Sequence, residues 1–522
     1  MEPAGTDRRH EAADRALPWR YVAAVVAGIL VLVFVAARTV QLGWTSGDPT
    51  IWIPLHEWVS RGAVLYEGVW DNKDWGFFWL HQPLYTLFSV PGLYLTALIF
   101  TLLFGLGVLF LVRPITTSWR AYYTALFALC LYVASPVYWS IHPENSAISL
   151  AVLGVGLVAR YPILAGFVLA SATSIKVSAL LILLSTLAAL AVPRLVLRAG
   201  PPIATTLRRS ARLLIGFAIG SGSVAIGAVV TGSLIGWLDV IDYNGDYARW
   251  RGFPPPVEPR ALPMTIIQNG IADASELPLA IFAQLIVLPI VAVALVLLWI
   301  RYVVVSGDRA GSGIAVRQLF LAFGLLLAAL LITIVQRPSI QHWQYALGAL
   351  IAFLAAALAA CIGQRPRPSR RMSILLAGLL AVPVLTLANH DGALAPNRVA
   401  ADLPRWTGLG SGALLGAELS DLPADSSVMF FGTNEYLVDH GSLPPSTKLT
   451  CRFLFQFQWN LPRYGEEILD CLTKSEPDYV ITDASDRWAD EDFRELVYGE
   501  LATSFEPCEV TETHAIWCRQ DS

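Results

Sequence analysis

Asp48, Asp71, Lys73 and Asp74 fall within one stretch, GWTSGDPTIWIPLHEWVSRGAVLYEGVWDNKDWGFFWLHQ, which follows the first long apolar run of the chain. Carboxylates so grouped can take a proton from an incoming hydroxyl, and a lysine among them can hold an anion. Further polar groups stand at the ends of later apolar runs: His142 and Glu144 in SIHPENSA, Lys176 in TSIKVSA, and Arg337, Gln341 and His342 in QRPSIQHWQY. An ionisable residue at a membrane boundary is costly to bury unpaired, so each is a functional candidate. Each also has a plainer reading. The carboxylates can be solvated loop charges, Pro143 and Glu144 can simply open a helix, and Lys176 can snorkel from a helix end. The aromatics Trp44, Trp52, Trp70, Trp75, Phe77, Phe78 and Trp79 can anchor at an interface or stack on a sugar face.

These groups need a scaffold that holds them at one level. The chain has 522 residues, 55% of them apolar and 15% charged, more apolar surface than one soluble core can hide. A polytopic α-helical membrane protein follows. At about 20 apolar residues per crossing there are about eleven transmembrane helices, near 20–41, 91–112, 121–139, 145–160, 163–176, 178–193, 213–236, 277–300, 318–336, 344–362 and 373–389. The 163–193 run is open between one kinked helix and two short ones broken near SIKVS. The net charge of −4 gives no sign of nucleic acid as a partner.

Arginines set the expected orientation. Arg8, Arg9, Arg15 and Arg20, then Arg113 and Arg120, the run from Arg194 to Arg212, Arg301 to Arg317, and Arg365 to Arg371 all fall on one side. Basic loops stay cytoplasmic, so the amino terminus is expected inside and everything after Asn389 outside. The first outer loop, 42–90, then carries the acidic and aromatic stretch, with IWIPLHEWVSRGAVLY as an amphipathic helix along the interface. Residues Trp237 to Glu276 form a second outer loop, with RGFPPPVEPRALP as a stiff connector.

Two domains are expected: 1–390 in the membrane and 391–522 as a small extracytoplasmic α/β domain, with strands in SSVMFFG and PDYVITDA and helices in GEEILDCLTKS and DEDFRELVYGELATS. Cys451, Cys471, Cys508 and Cys518 all lie there. The sequence-near pairing is Cys451 with Cys471 and Cys508 with Cys518, and four reduced thiols is the alternative.

The order of these motifs resembles a known superfamily. An Asp just after the first span, LYEGVWDNKDWGFFW in the first outer loop, an outward HPE, a lysine in SIKVS and the corner RPSIQHWQYALGALIAFLAA are similar to the GT-C glycosyltransferases. Within it the resemblance is to the polyprenyl-phosphate-sugar-dependent branch, relatives of protein O-mannosyltransferases and of the aminoarabinose transferases that modify lipid A. It covers about the first 390 residues, and DWG here replaces the PPG that follows the lysine in many relatives.

The resemblance implies a polyprenyl-phosphate-linked sugar donor, an extracytoplasmic site, inversion at the anomeric carbon, and a glycan, lipid or protein acceptor. It implies Asp48 as the base, Asp71 or Asp74 as a second acidic residue, and Lys73, Arg337 and His342 towards donor phosphate. The sequence adds Lys176 to the phosphate side, and His142, Glu144 and Trp75 as acceptor contacts or support. A phosphate leaving group is already anionic, so the essential tasks are deprotonating the hydroxyl and neutralising the departing charge. No metal-ligand spacing stands out, although a divalent cation serves some members of the superfamily. A transporter or flippase of lipid-linked sugars is the competing reading, for which charged residues near the bilayer centre and paired half-helices would be expected. Arginine over lysine and abundant alanine suggest a GC-rich bacterium, hence its plasma membrane.

Overall fold

A computed structural model describes residues 7–41, 48–66, 73–135, 138, 140–195, 202–250, 287–298, 300, 309–335, 342–363, 423, 425–431, 448–449, 469–470, 472–474, 477–483, 491–510 and 514–520. Asp71, Arg337, Gln341, the expected span 373–389, the proline-rich connector and the expected Cys451–Cys471 pair lie outside them. Among the described residues of the first half, the α-helices are α1 (Asp7–Gln41), α2 (Asp48–Ser60), α3 (Trp75–Phe88), α4 (Val90–Val112), α5 (Ser118–Val133), α6 (Pro143–Leu157), α7 (Pro162–Ile175), α8 (Leu180–Leu195), α9 (Ile203–Val230) and α10 (Leu234–Trp250). Helices Val287–Leu298, Arg309–Val335 and Trp343–Gly363 follow.

Among the described residues, five helices are long and apolar enough to cross a membrane: Tyr21–Val40, Val90–Val112, Ile203–Val230, Gly313–Ile334 and Trp343–Ile362. The expected spans in the middle of the bundle are shorter. Helices α5 to α8 have 16, 15, 14 and 16 residues, or roughly 21–24 Å at 1.5 Å per residue, against a hydrocarbon core of about 30 Å. The cause is local: α6 begins and α7 ends at polar residues, Glu144 and Lys176, that the bundle keeps inside. Between α7 and α8 the chain breaks at Lys176, which is extended (φ −154°, ψ 110°), and makes one 3₁₀ turn over Val177–Ala179.

Every residue of α6 is buried, which makes it the central helix. It packs between α4 and α7, and the Trp343–Gly363 helix closes over it. Helices α7 and α9 cross at backbone distance: a Cβ on Gly166 would stand 2.0 Å from the Leu213 carbonyl oxygen, and one on Gly216 would stand 1.8 Å from that of Ile163. Small residues at such crossings let dispersion forces act between backbones in an apolar medium.

Two expected boundaries move. The span placed at 213–236 ends at Val230, and α10 takes the start of the expected second outer loop. LIGWLDVIDYNGDYARW has helical spacing, with Leu234, Trp237 and Val240 on the packed side and Asp239 and Asp242 away from it. In the tail, β1 (Ser427–Phe431), β2 (Lys448–Leu449), β3 (Tyr479–Asp483), β4 (Phe505–Val510) and β5 (His514–Arg519) form one sheet in the order β2-β1-β3-β5-β4. The β1–β2 and β1–β3 pairs are parallel and the β3–β5 and β4–β5 pairs antiparallel. Cys508 and Cys518 form a disulfide across β4 and β5.

Candidate functional site

The site is assembled where three helices start and one stops. His142 caps α6, Asp74 caps α3, His342 precedes the Trp343–Gly363 helix, and Lys176 ends α7. Three helix amino termini aimed at one layer favour negative charge there. The layer holds a carboxylate accordingly.

Glu144, in the first turn of α6, is 2% exposed. Lys176 Nζ donates to its Oε1. His342 Nε2 lies 3.4 Å from the same oxygen, and His142 Nδ1 lies 3.5 Å from Oε2. A carboxylate buried this deeply persists only when paired, and here one lysine and two imidazoles face it. Aromatic rings wall the cluster: Lys176 Nζ is 5.9 Å from the centroid of the Tyr345 ring, and the His142 ring meets Trp52 edge-on at 5.1 Å.

Trp52 joins this cluster to the acidic stretch. It lies in α2, is 1% exposed, and carries Lys73 Nζ at 5.8 Å from its ring centroid. The backbone at Lys73 is held by Tyr66, whose hydroxyl donates to the Lys73 carbonyl at 2.7 Å. Tyr66 itself has φ 71°, a left-handed conformation that a bulky residue adopts only under constraint. Asp48 is the first residue of α2, one turn before Trp52.

Asp74 is turned inward. Its Oδ2 accepts from the Val177 N–H at 3.0 Å and its Oδ1 from the Trp237 indole at 3.2 Å. Burial pushes its carboxyl up to about 6, against the pull of those two hydrogen bonds and of the Lys176 and Lys73 charges. The adjoining turn is tight, since a Cβ on Gly76 would stand 2.1 Å from Ser174 Oγ, so α3 starts directly against the end of α7. Trp75 is 2% exposed and stacks on Trp79 at 5.1 Å.

The structure therefore brings together Lys73, Asp74, His142, Glu144, Lys176 and His342, with Trp75 beside Asp74. Lys176 and His342, expected to face a donor phosphate, both lie against Glu144. Among the described residues no group of three or more His, Cys, Asp or Glu is arranged to hold a metal ion.

No family model matches the chain, and no curated protein does. Solved structures do. The chain is similar to the apo oligosaccharyltransferase of Archaeoglobus fulgidus, with 13% identity, TM-score 0.45, and 87% of this chain and 69% of that one covered. It is similar to oligosaccharyltransferase AglB of the same organism in complex with an inhibitory peptide and a dolichol-phosphate, at 13% identity, TM-score 0.45, and 95% and 74% coverage. It is also similar to apo ArnT from Cupriavidus metallidurans, at 13% identity, TM-score 0.44, and 96% and 98% coverage.

Three site residues escaped the sequence reading. Tyr345 follows His342 at helical spacing, a signal that was present in QHWQY. Trp237 gave none, because its partner Asp74 is 163 residues away. Asn145, next to Glu144, anchors a buried network: it accepts from the Tyr132 hydroxyl at 2.9 Å and donates to the Ser140 carbonyl at 2.7 Å, while Gln344 donates to the Tyr132 hydroxyl at 2.9 Å.

Proposed function

We propose that this chain is a membrane glycosyltransferase that moves a sugar from a polyprenyl-phosphate donor to an extracytoplasmic cell-envelope glycan, lipid or protein, with inversion at the anomeric carbon. The observation that carries the reading is the convergence of Lys176 and His342 on buried Glu144 beside Lys73 and Asp74, all at helix ends. An anionic lipid phosphate at membrane level needs such a set of cations in a water-poor setting, where each charge acts more strongly than in water.

In this proposal Asp48 removes the acceptor proton as the sugar's anomeric carbon is attacked, and the carbon–oxygen bond to phosphate breaks. The base's position at the head of the helix that carries Trp52 supports the assignment, since Trp52 packs against both Lys73 and His142. Lys73 and Arg337 neutralise the departing phosphate. Lys176 has three donors and gives one to Glu144, leaving it able to turn a further N–H towards the same anion. Glu144 and the two imidazoles hold that lysine in place. Asp74 and Trp75 shape the wall.

Membranes containing wild-type chain or Asp48→Asn, supplied with radiolabelled polyprenyl-phosphate sugars, test the reading. Transfer by the wild type and its loss in the variant are expected. Equal transfer by the two removes Asp48 as the base, and no transfer from any common donor by the wild type overturns the enzyme assignment.

A further inference from the structure

At the far end of the bundle, two arginines lie close together without a counter-ion among the described residues. Arg209 lies two turns into α9 and Arg317 about two turns into the Arg309–Val335 helix. Arg317 is close enough to feel the positive charge of Arg209. Arg209 Nη1 and Arg317 Nε are both buried without a hydrogen-bond partner, as is Thr206 Oγ1, one turn before Arg209. No carboxylate among the described residues pairs with either guanidinium. Two like charges with buried, unpaired donors are costly, and an anion that accepts from both removes the cost.

This pair is remote from Glu144. Trp237, which touches Asp74, stands just beyond the other end of α9, and Thr333, whose hydroxyl donates to the His342 carbonyl at 3.0 Å, is near the other end of the second helix. From Arg209 to Val230 is roughly 30 Å along α9 at 1.5 Å per residue. The two polar layers therefore occupy opposite ends of the same helices.

Beside the arginines runs a groove of about 470 Å³ between α7 and α9, lined by Ile163, Leu164, Phe167, Gly216 and Ile219 and bordered by Arg212. Arg212 is one turn along α9 from Arg209, so the cationic end and the groove share a helix face. Its lining is almost wholly apolar, and the exposed side chains of Ile163, Leu164, Phe167 and Ile219 belong on the lipid-facing surface.

We propose that Arg209 and Arg317 form a headgroup site for an anionic membrane phospholipid, whose phosphate bridges the two guanidinium groups and whose acyl chain lies along the groove. Charge complementarity selects the occupant: a forked guanidinium pair matches phosphate oxygens, and only a lipid supplies phosphate and an apolar chain together.

The full-length chain, purified in mild detergent and delipidated, is incubated with phosphatidylglycerol or phosphatidylcholine, and retained lipid is measured by mass spectrometry. Wild type is expected to keep phosphatidylglycerol, and the double variant Arg209→Gln, Arg317→Gln to keep about tenfold less, in line with the loss of charge-assisted hydrogen bonds, with phosphatidylcholine unchanged. Arg209→Lys, Arg317→Lys, which keeps charge but not the fork, should fall between them. Equal phosphatidylglycerol retention by wild type and the glutamine variant overturns the proposal. Should that variant not fold, wild type decides alone: phosphatidylglycerol should raise its melting temperature and phosphatidylcholine should not. An equal rise with inorganic phosphate at the same concentration identifies a free anion as the ligand and overturns the lipid assignment.

Discussion

The Asp74 carboxylate accepts a hydrogen bond from the Val177 N–H, 3.0 Å away and 103 residues later in the chain. That contact closes the break between α7 and the 3₁₀ turn, whose first N–H would otherwise be orphaned at a helix end. The residue at the break is Lys176. A carboxylate at the start of α3 thus fixes the backbone from which the lysine reaches Glu144.

Asp74→Asn should lower stability by about 1–3 kcal/mol, because one amide oxygen cannot serve both donors and a hydrogen bond to a charged group is lost. Its pH signature has a definite sign. The folded carboxyl titrates at about 6 and the unfolded one near 3.8, so the native state binds more protons across that window, and the contribution of Asp74 to stability falls as pH rises from about 4 to about 6. Melting temperatures in detergent across that range should show wild type losing ground to Asp74→Asn as pH rises. Parallel curves for the two would show that Asp74 is not buried as described.

Removing one member of the central pair should cost far more than removing both. Glu144→Gln leaves Lys176 facing a neutral amide, and breaking a buried ion pair costs about 3–5 kcal/mol. Glu144→Gln combined with Lys176→Met should recover most of that stability. Transfer activity should stay lost in the double variant, since the lysine is gone. A double-mutant cycle on thermal unfolding, run beside the transfer assay, checks both; additive losses of stability would show that the two side chains do not interact.

Much of this was legible in the sequence because membrane helices announce themselves by unbroken apolar runs, and because polar residues at their ends are rare enough to single out. His142, Glu144, Lys176 and His342 were visible that way. Their mutual arrangement was not. SIHPENSA and TSIKVSA show a helix start and a helix end, but nothing local shows that Lys176 turns to Glu144, since that depends on the packing of α6 against α7. The partners of Asp74 were hidden for the same reason: in DNKDWG it has the look of a solvated loop charge or a base, and Val177 and Trp237, which hold it buried, are both more than 100 residues away. In the tail, β1 and β3 were readable as short apolar runs. The β4–β5 pair was not, because FEPCEV carries charge and a proline and is held as an edge strand by its neighbour.

The Cys508–Cys518 disulfide staples that edge strand to β5. Closing a loop of this size is worth about 2–3 kcal/mol through the unfolded chain. Cys508→Ala, Cys518→Ala should therefore lower the melting temperature of the tail without changing that of the helical part. Maleimide labelling of denatured full-length chain, before and after reduction, should show Cys508 and Cys518 reacting only after reduction, whereas Cys130 and Cys361, which form no disulfide, react in both. Reaction of Cys508 or Cys518 without reductant would place this edge in a reducing compartment.

His56 and His81 give the opposite pH response to Asp74. They belong to α2 and α3, ahead of the Val90–Val112 span, and their ring centroids are 6.2 Å apart. His56 Nδ1 donates to Gln82 Oε1 at 2.7 Å and His81 Nδ1 donates to the Phe77 carbonyl at 2.7 Å, so in both rings Nε2 is the bare nitrogen, and both are buried without a partner. Protonating either would bury an uncompensated charge among Phe77, Phe78, Tyr85 and Phe100. Burial lowers His56 to about 3, with the facing His81 adding to the effect, and burial lowers His81 to about 4. Unfolded histidines titrate near 6.5, so between those values the unfolded state binds more protons. The stability these residues contribute is complete above about 6.5 and is lost as pH falls, with a limiting slope of about 1.4 kcal/mol per pH unit for each. His56→Asn with His81→Asn keeps an amide donor near each Nδ1 position and removes the titration. Thermal unfolding between about pH 6.5 and pH 4 should therefore steepen in wild type relative to this variant, and most clearly in an Asp74→Asn background, where the opposing carboxylate effect is absent. Identical slopes with and without the two histidines would mean that water reaches their Nε2 atoms, and that α2 is not seated on α3 as the structure has it.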